Sequence, residues 1–129
     1  MKYCIDPNIE IVARKVVDAL YRVHRSLGPG LLESLYETCF CHELLKQGLS
    51  FRRQVQVPLI YDQVRFECVL RLDVLVQELI ICELKAVDAL HPIDRAQLLT
   101  YLKWTNKRLG FLVNFNVVLI KDGIKRLIL

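Results

Sequence analysis

Apolar residues recur every three or four positions through the first third of the chain, which is the spacing of helices that bury one face. The pattern predicts a first helix over residues 8–26, starting behind Asp6-Pro7 and stopping at Gly28-Pro29-Gly30. A second helix is predicted over residues 31–46, because Gly48 supplies a left-handed residue that ends it. Its apolar face comprises Leu32, Leu35, Tyr36, Cys39, Phe40 and Leu44. The two helices are expected to pack as a pair.

From Phe51 onward, apolar and polar residues alternate, which is the period of a strand. A half-exposed first strand is predicted, in which Pro58 indicates an edge position, and a turn follows over residues 61–63. Two nearly all-apolar strands, residues 66–76 and 79–86, are then predicted to form a hairpin around Gln77-Glu78.

The last third of the chain predicts one more helix and two or three short strands. The helix starts near Pro92 and runs to about Asn106. Its buried side chains are expected to be Leu98, Leu99, Leu102 and Trp104. Short strands are predicted over residues 111–115, 117–120 and 124–129. Because 53% of the 129 residues are hydrophobic, residues 1–129 are expected to form one domain around a single core.

Composition and charge argue against several classes of protein. The apolar runs are well short of the roughly 20 residues that a membrane span needs, and the N-terminus lacks the apolar core of a secretory signal, so a cytoplasmic protein is expected. The five cysteines include no Cys-x-x-Cys pair of the kind that a structural zinc site or a redox motif needs. A net charge of +4 permits a polyanionic partner without requiring one.

Three ionisable residues interrupt the two most apolar strands: Asp73 in the first, and Glu83 and Lys85 in the second. Because burying an unpaired carboxylate is costly, such residues are usually paired, bound to a metal, or on an open face. Glu83 and Lys85 point the same way, since residues two apart on a strand share a face. A two-residue hairpin loop would place Asp73 opposite Cys82 on the other face, whereas a three-residue loop would place it opposite Glu83.

Spacing alone leaves two interpretations open. If the three side chains converge, two carboxylates form an oxygen-rich site for a hard cation such as Mg²⁺, and the ammonium can orient water or offset charge at phosphorus. That arrangement is suited to phosphodiester hydrolysis. Alternatively, Glu83 and Lys85 are an ordinary ion pair on a solvated sheet face, and Asp73 caps a strand end.

Five motifs, in order along the chain, add to this pattern. They are Gly30-Leu31-Leu32-Glu33-Ser34-Leu35-Tyr36, Arg71-Leu72-Asp73-Val74-Leu75-Val76, Cys82-Glu83-Leu84-Lys85-Ala86, Ala96-Gln97-Leu98-Leu99-Thr100-Tyr101-Leu102 and Asn114-Phe115-Asn116. On these motifs the chain resembles the GxxExxY protein family, a branch of the PD-(D/E)XK nuclease superfamily, from about Val12 to Leu129. Leu72 stands where the superfamily's leading proline would be.

The resemblance implies an α/β fold with a restriction-endonuclease-like core, in which a mixed sheet is flanked by helices. It implies that Asp73 and Glu83 are metal ligands, that Lys85 is the catalytic lysine, and that Glu33 is an additional carboxylate that ligates or supports the metal. Gln97 and Tyr101, one helical turn apart, are implied to face the site or the substrate. From the residues alone, a structural role is an equal alternative for each. Glu33 would then be a first-turn acid stabilised by the helix dipole, and Gln97 and Tyr101 would form a helix face anchored to neighbouring backbone.

The function that follows is a nuclease that uses Mg²⁺, or Mn²⁺, to hydrolyse DNA or RNA. Because the sequence has no basic stripe, the phosphate backbone would have to be held by dispersed cations, by a protein partner or by a second copy of the chain. The cations in question are Arg52, Arg53, Lys103, Lys107 and Arg108. The alternative is a non-catalytic nucleic-acid-binding or protein-interaction module that keeps the fold and a relic of the site.

Overall fold

The structure is a computed structural model that describes residues 5–129. In chain order its elements are α1 (Pro7–Leu27), α2 (Glu33–Lys46), β1 (Phe51–Tyr61), β2 (Val64–Val76), β3 (Ile80–Lys85), α3 (Pro92–Thr105), β4 (Leu109–Asn114), a 3₁₀ turn (Ile120–Asp122) and β5 (Ile124–Ile128). No helix in this part of the chain is long and apolar enough to cross a membrane.

Helix α1 agrees with its prediction to one residue at each end. It begins where Asp6 accepts a hydrogen bond from the backbone N–H of Asn8 (2.8 Å) and where Pro7 has no N–H to leave unpaired. It ends at Gly28, which has a φ of 72° and donates its N–H to the carbonyl of His24 (2.8 Å). The buried stripe is Val12, Ala13, Val16, Ala19, Leu20, Val23 and His24.

Helix α2 begins two residues later than predicted and has a narrower apolar face. Tyr36, Phe40 and Leu44, four residues apart, are fully buried against α1 and the sheet. Leu32 precedes the helix and is 77% exposed, and Leu35 is exposed because it lies about 100° around the helix from Tyr36. The prediction that both leucines belong to the buried face is therefore wrong.

The five strands form one mixed sheet in the order β1-β2-β3-β4-β5. All neighbouring strands are antiparallel except β3 and β4, which run parallel because α3 carries the chain back across the sheet between them. Helices α1 and α2 pack against one face of the sheet, where they contact β3 residues such as Cys82 and Leu84. Helix α3 packs against the other face, which includes Ile81 of β3. The predicted mixed sheet flanked by helices is confirmed.

Strands β1 and β2 extend beyond the rest of the sheet as a two-stranded ribbon. Strand β3 pairs with only the last three residues of β2, whereas the β1–β2 ladder continues to the turn at Asp62-Gln63. Pro58 lies in this ribbon at a register shift, on an edge strand as predicted. The functional residues described below lie where the ribbon leaves the body of the sheet.

Two further predictions are wrong. Residues 117–120 do not form a strand, because both edges of β4 are already taken by β3 and β5, and Val118 is instead 86% exposed. Trp104 is 43% exposed, since Leu98 and Leu102, one helical turn apart, occupy the face of α3 that packs on the sheet. The final strand, predicted over residues 124–129, is present as β5.

Candidate active site

The two carboxylates singled out from the sequence meet at the junction of β2 and β3. Val76 pairs with Ile80 across a three-residue loop, so continuing the register places Asp73 opposite Glu83, which confirms the alternative with the longer hairpin loop. At that step side chains replace the backbone ladder: the Asp73 N–H donates to Glu83 Oε1 (3.2 Å), and the Leu84 N–H donates to Asp73 Oδ2 (2.9 Å). Both acids are only 6% exposed.

The β1 side of the junction is interrupted as well. Gln54, which the register places opposite Asp73, has a φ of 50° and makes no ladder pair with it. Its side-chain amide instead donates to Glu37 on α2 (2.8 Å). The backbone of β2 at Asp73 is therefore free of regular pairing on both sides, which allows the carboxylate to turn toward Glu83.

The carboxylate pair is electrostatically strained. Burial, and then the negative charge of Asp73, raises the pKa of Glu83 to about 9. The two carboxyl groups are close enough to share a hydrogen bond, and two buried carboxyls in such contact do not both ionise near neutral pH. A divalent cation between them would remove that repulsion.

The oxygen donors fit a hard cation. Among residues 5–129, no three His, Cys, Asp or Glu side chains are grouped closely enough to hold a metal ion by themselves. Mg²⁺ does not need three, because it is commonly bound by one or two carboxylates together with waters and substrate phosphate. Asp73 and Glu83 supply that minimum, so the pair fits Mg²⁺ better than a cation that needs a full protein cage.

Lys85 extends from the end of β3 on the same side as Glu83. Its side chain is 29% exposed, and its Nζ lies 3.8 Å from Asp94 Oδ1. Asp94 is itself fixed at the start of α3, where its other carboxylate oxygen accepts the backbone N–H of His91 (2.9 Å). The start of α3 thus holds the lysine ammonium beside the carboxylate pair.

The Gly30-to-Tyr36 motif acts as one structural unit that brings Glu33 to the cleft. Gly30 has a φ of 92°, a conformation that favours glycine. Tyr36 donates its hydroxyl to the carbonyl of Gly28 (2.6 Å) and accepts the N–H of Leu31 (3.1 Å), while its ring stacks on Phe115 with centroids 4.5 Å apart. The turn is therefore pinned at both ends, and Glu33 becomes the first residue of α2.

Glu33 lies in the electric field of the other site residues. Burial, and then the charge of Asp73, raises the pKa of Glu33, while Lys85 opposes the rise. Within the described residues, Glu33 does not complete a group of three ligands with Asp73 and Glu83, and its carboxylate accepts a hydrogen bond from the backbone of Ala86.

All six residues singled out from the sequence line one open cleft of about 420 Å³. Gln97 and Tyr101 reach it from α3, one helical turn apart. Burial, and then the charges of Glu83 and Asp73, raises the pKa of the Tyr101 hydroxyl. A larger groove of about 550 Å³ lies elsewhere, beside α1 and residues 118–121, and it is mainly apolar and lined by no carboxylate.

Four further residues line the cleft that the sequence reasoning did not select. They are Gln56, Cys68, Val69 and Arg71. Arg71 stands two residues before Asp73 in a recognised motif, so the strand period was a usable signal for it. Cys68 carried no such signal, because it lies at a backbone irregularity with a φ of 58°.

The cations predicted to hold a phosphate backbone are not in the cleft. Arg52 makes two hydrogen bonds to Glu78 (both 2.8 Å), and Arg53 pairs with Glu37 (2.9 Å). Arg108 donates to the backbone carbonyl of Leu129 (2.6 Å). Within the described residues, the cations that line the cleft are Lys85 and Arg71.

A mixed sheet flanked by helices, with two buried carboxylates and a lysine on adjacent strands, defines the restriction-endonuclease-like fold class. The family model of the PD-(D/E)XK nuclease superfamily matches residues 10–127, and the chain belongs to that superfamily. No curated protein and no solved structure is significantly similar to the chain.

Proposed function

We propose that the chain is a metal-dependent nuclease that hydrolyses phosphodiester bonds in nucleic acid, with Mg²⁺ as its ion and Mn²⁺ able to replace it. The observation that carries the proposal is the buried Asp73–Glu83 pair, whose mutual repulsion the neighbouring Lys85 ammonium offsets only in part. The nearest ammonium, that of Lys85, is engaged by Asp94. Membership of a nuclease superfamily supports the same reaction.

A bound divalent cation supplies Lewis-acid polarisation of the phosphodiester and favours ionisation of the attacking water. The chain's own residues position the reactants. Asp73 and Glu83 would hold the ion, and the Lys85 ammonium would stabilise negative charge that develops on the phosphoryl oxygens. Tyr101, whose hydroxyl stays protonated at neutral pH, and Gln97 would donate hydrogen bonds to a substrate in the cleft, while Glu33 would orient water.

We further assign the chain to the GxxExxY branch of the superfamily. Support comes from the Gly30–Tyr36 segment, in which each motif residue has a distinct role. Gly30 adopts a positive φ, Glu33 lies near Asp73 and Lys85, and the Tyr36 hydroxyl donates to the Gly28 carbonyl. A reducing, cytoplasmic location is part of the proposal, and it is supported by the four free cysteines among the described residues.

Two parallel assays test the nuclease proposal. Mn²⁺ titration calorimetry compares wild type with Asp73→Asn and with Asp62→Asn, a control carboxylate at the exposed tip of the β1–β2 ribbon. A cleavage assay on single- and double-stranded DNA and RNA uses the same three proteins. Metal binding and cleavage should disappear in Asp73→Asn and persist in the control. If wild type binds no metal even with nucleic acid present, the proposal fails; binding of nucleic acid without cleavage would instead favour the non-catalytic module.

A further inference from the structure

We propose that Arg71 and Gln56 form a phosphate-binding subsite. It binds the phosphodiester that lies next to the scissile phosphodiester on the same nucleic-acid strand. The inference rests on the proposed nuclease function and supplies the substrate contact that this function needs. The two residues are direct cross-strand partners in the β1–β2 ladder, and both line the cleft. Opposed side chains in such a pair lie close enough to act on one ligand.

Within residues 5–129, the Arg71 guanidinium has no carboxylate in salt-bridge range and donates no side-chain hydrogen bond. Its charge acts on the Tyr101 hydroxyl, which accepts a hydrogen bond from the Arg71 backbone N–H. Other arginines of the sheet are engaged, since Arg65 pairs with Glu67 and Arg126 pairs with Glu10. A guanidinium carries five N–H donors in a planar fork that matches the oxygens of a phosphate. Arg71 is thus an exposed, unpaired cation placed at the cleft.

Gln56 is oriented as a donor by its neighbour. The thiol of Cys68 donates to Gln56 Oε1 (2.9 Å), which occupies the amide oxygen and leaves the Nε2 hydrogens directed elsewhere. Cys68 lies in β2 at the register shift between the Val57 and Leu59 pairs, where its backbone is left-handed (φ 58°). A cation and an amide donor side by side are complementary to an anion.

The charge of the cleft explains why such a subsite is needed. Glu33, Asp73 and Glu83 line the cleft, and the Lys85 ammonium is tied to Asp94, so an approaching polyanion meets mainly negative charge. Arg71 supplies the compensating charge two residues from Asp73 along β2, a separation of about 7 Å. That spacing is comparable with one nucleotide of an extended strand, which places the subsite one phosphate away from the carboxylate pair.

The test is binding of a fluorescent single-stranded 12-nucleotide DNA and its RNA equivalent, followed by anisotropy. Ca²⁺ replaces Mg²⁺ so that binding is read without cleavage. The variants are Arg71→Ala, Arg71→Lys, Gln56→Ala and the matched control Arg65→Ala, an exposed arginine of the same strand whose charge is already paired. Arg71→Ala should weaken binding about tenfold and reduce the slope of log affinity against log salt by about 0.7, because one phosphate contact of a single strand is lost.

The other variants sharpen the result. Arg71→Lys should keep the salt slope but recover only part of the affinity, since the ammonium lacks the planar fork. Gln56→Ala should weaken binding by a smaller factor with no change of slope, and Arg65→Ala should stay within about twofold of wild type. Mn²⁺ affinity should be unchanged in Arg71→Ala, because the side chain does not hold the ion.

The outcomes separate the subsite from the chemistry. If wild type cleaves and Arg71→Ala binds and cleaves with the same affinity and salt slope, the subsite is overturned while the nuclease proposal stands. If wild type binds the oligonucleotide through Arg71 but never cuts it, the subsite stands and the nuclease proposal fails. If wild type binds neither DNA nor RNA, both are overturned.

Discussion

Replacing Glu83 by glutamine should stabilise the metal-free protein. The pKa of Glu83 in the folded protein is raised to about 9 by burial and by Asp73, whereas in the unfolded chain the carboxyl has its ordinary pKa of 4.5. Folding therefore takes up a proton between these two values, so stability is full below about pH 4.5 and falls as pH rises toward 9. Each pH unit corresponds to about 1.4 kcal/mol, so at pH 7 the loss is about 3 kcal/mol.

Glutamine removes this loss while keeping the shape and the oxygen that accepts the Asp73 N–H. The assay is urea unfolding in EDTA at several pH values between 5 and 8, comparing wild type, Glu83→Gln and the exposed control Asp62→Asn. The free energy of unfolding of Glu83→Gln should exceed that of wild type by an amount that grows with pH and reaches about 3 kcal/mol at pH 7. A difference that is absent, or that does not change with pH, would refute the reasoning.

Three further predictions concern other parts of the site. Asp94→Asn should lower kcat about three- to tenfold at neutral pH, since it releases the Lys85 ammonium without removing the helix cap; an unchanged kcat would count against this role. Tyr36→Phe should lower the free energy of unfolding by about 1 to 3 kcal/mol, because two backbone groups of the turn lose their partner; equal urea midpoints would contradict it. At pH 8, a thiol reagent should modify Cys68, which is exposed, before Cys41, whose pKa burial raises to about 11; rapid modification of Cys41 in the folded protein would sink this prediction.

Much of the fold could be predicted from the sequence because its apolar periods are regular. The predicted bounds of α1 and α3 lie within about two residues of those observed. The prediction that Glu83 and Lys85 share one face of the strand also holds, since Cys82 and Leu84 lie in the core on the opposite face. The sequence did not predict the places where a residue adopts a backbone conformation unusual for its type. Gln77 and Glu78 both adopt positive φ in the hairpin loop, which is uncommon for these residue types. The sequence therefore left open whether the loop has two or three residues, and with it whether Asp73 lies opposite Cys82 or Glu83.

The site was predictable to a similar degree. The motifs located six of the ten residues that line the cleft, but they assigned no role to Arg71 and did not include Asp94. Those omissions have a common cause. Whether an arginine is paired, and which acid contacts a lysine, depends on contacts between segments distant in sequence. Arg52, for example, was expected to bind substrate phosphate, but its guanidinium is hydrogen-bonded to Glu78.

The central claim is that Asp73 and Glu83 share one divalent cation. The most direct test is the anomalous difference map of a crystal of the wild-type protein soaked in MnCl₂. A peak is expected between the two side chains, about 2.0 to 2.4 Å from one oxygen of each, and no such peak in Asp73→Asn crystals. A map with no peak at this pair, or with Mn²⁺ bound only at other carboxylates, would contradict it.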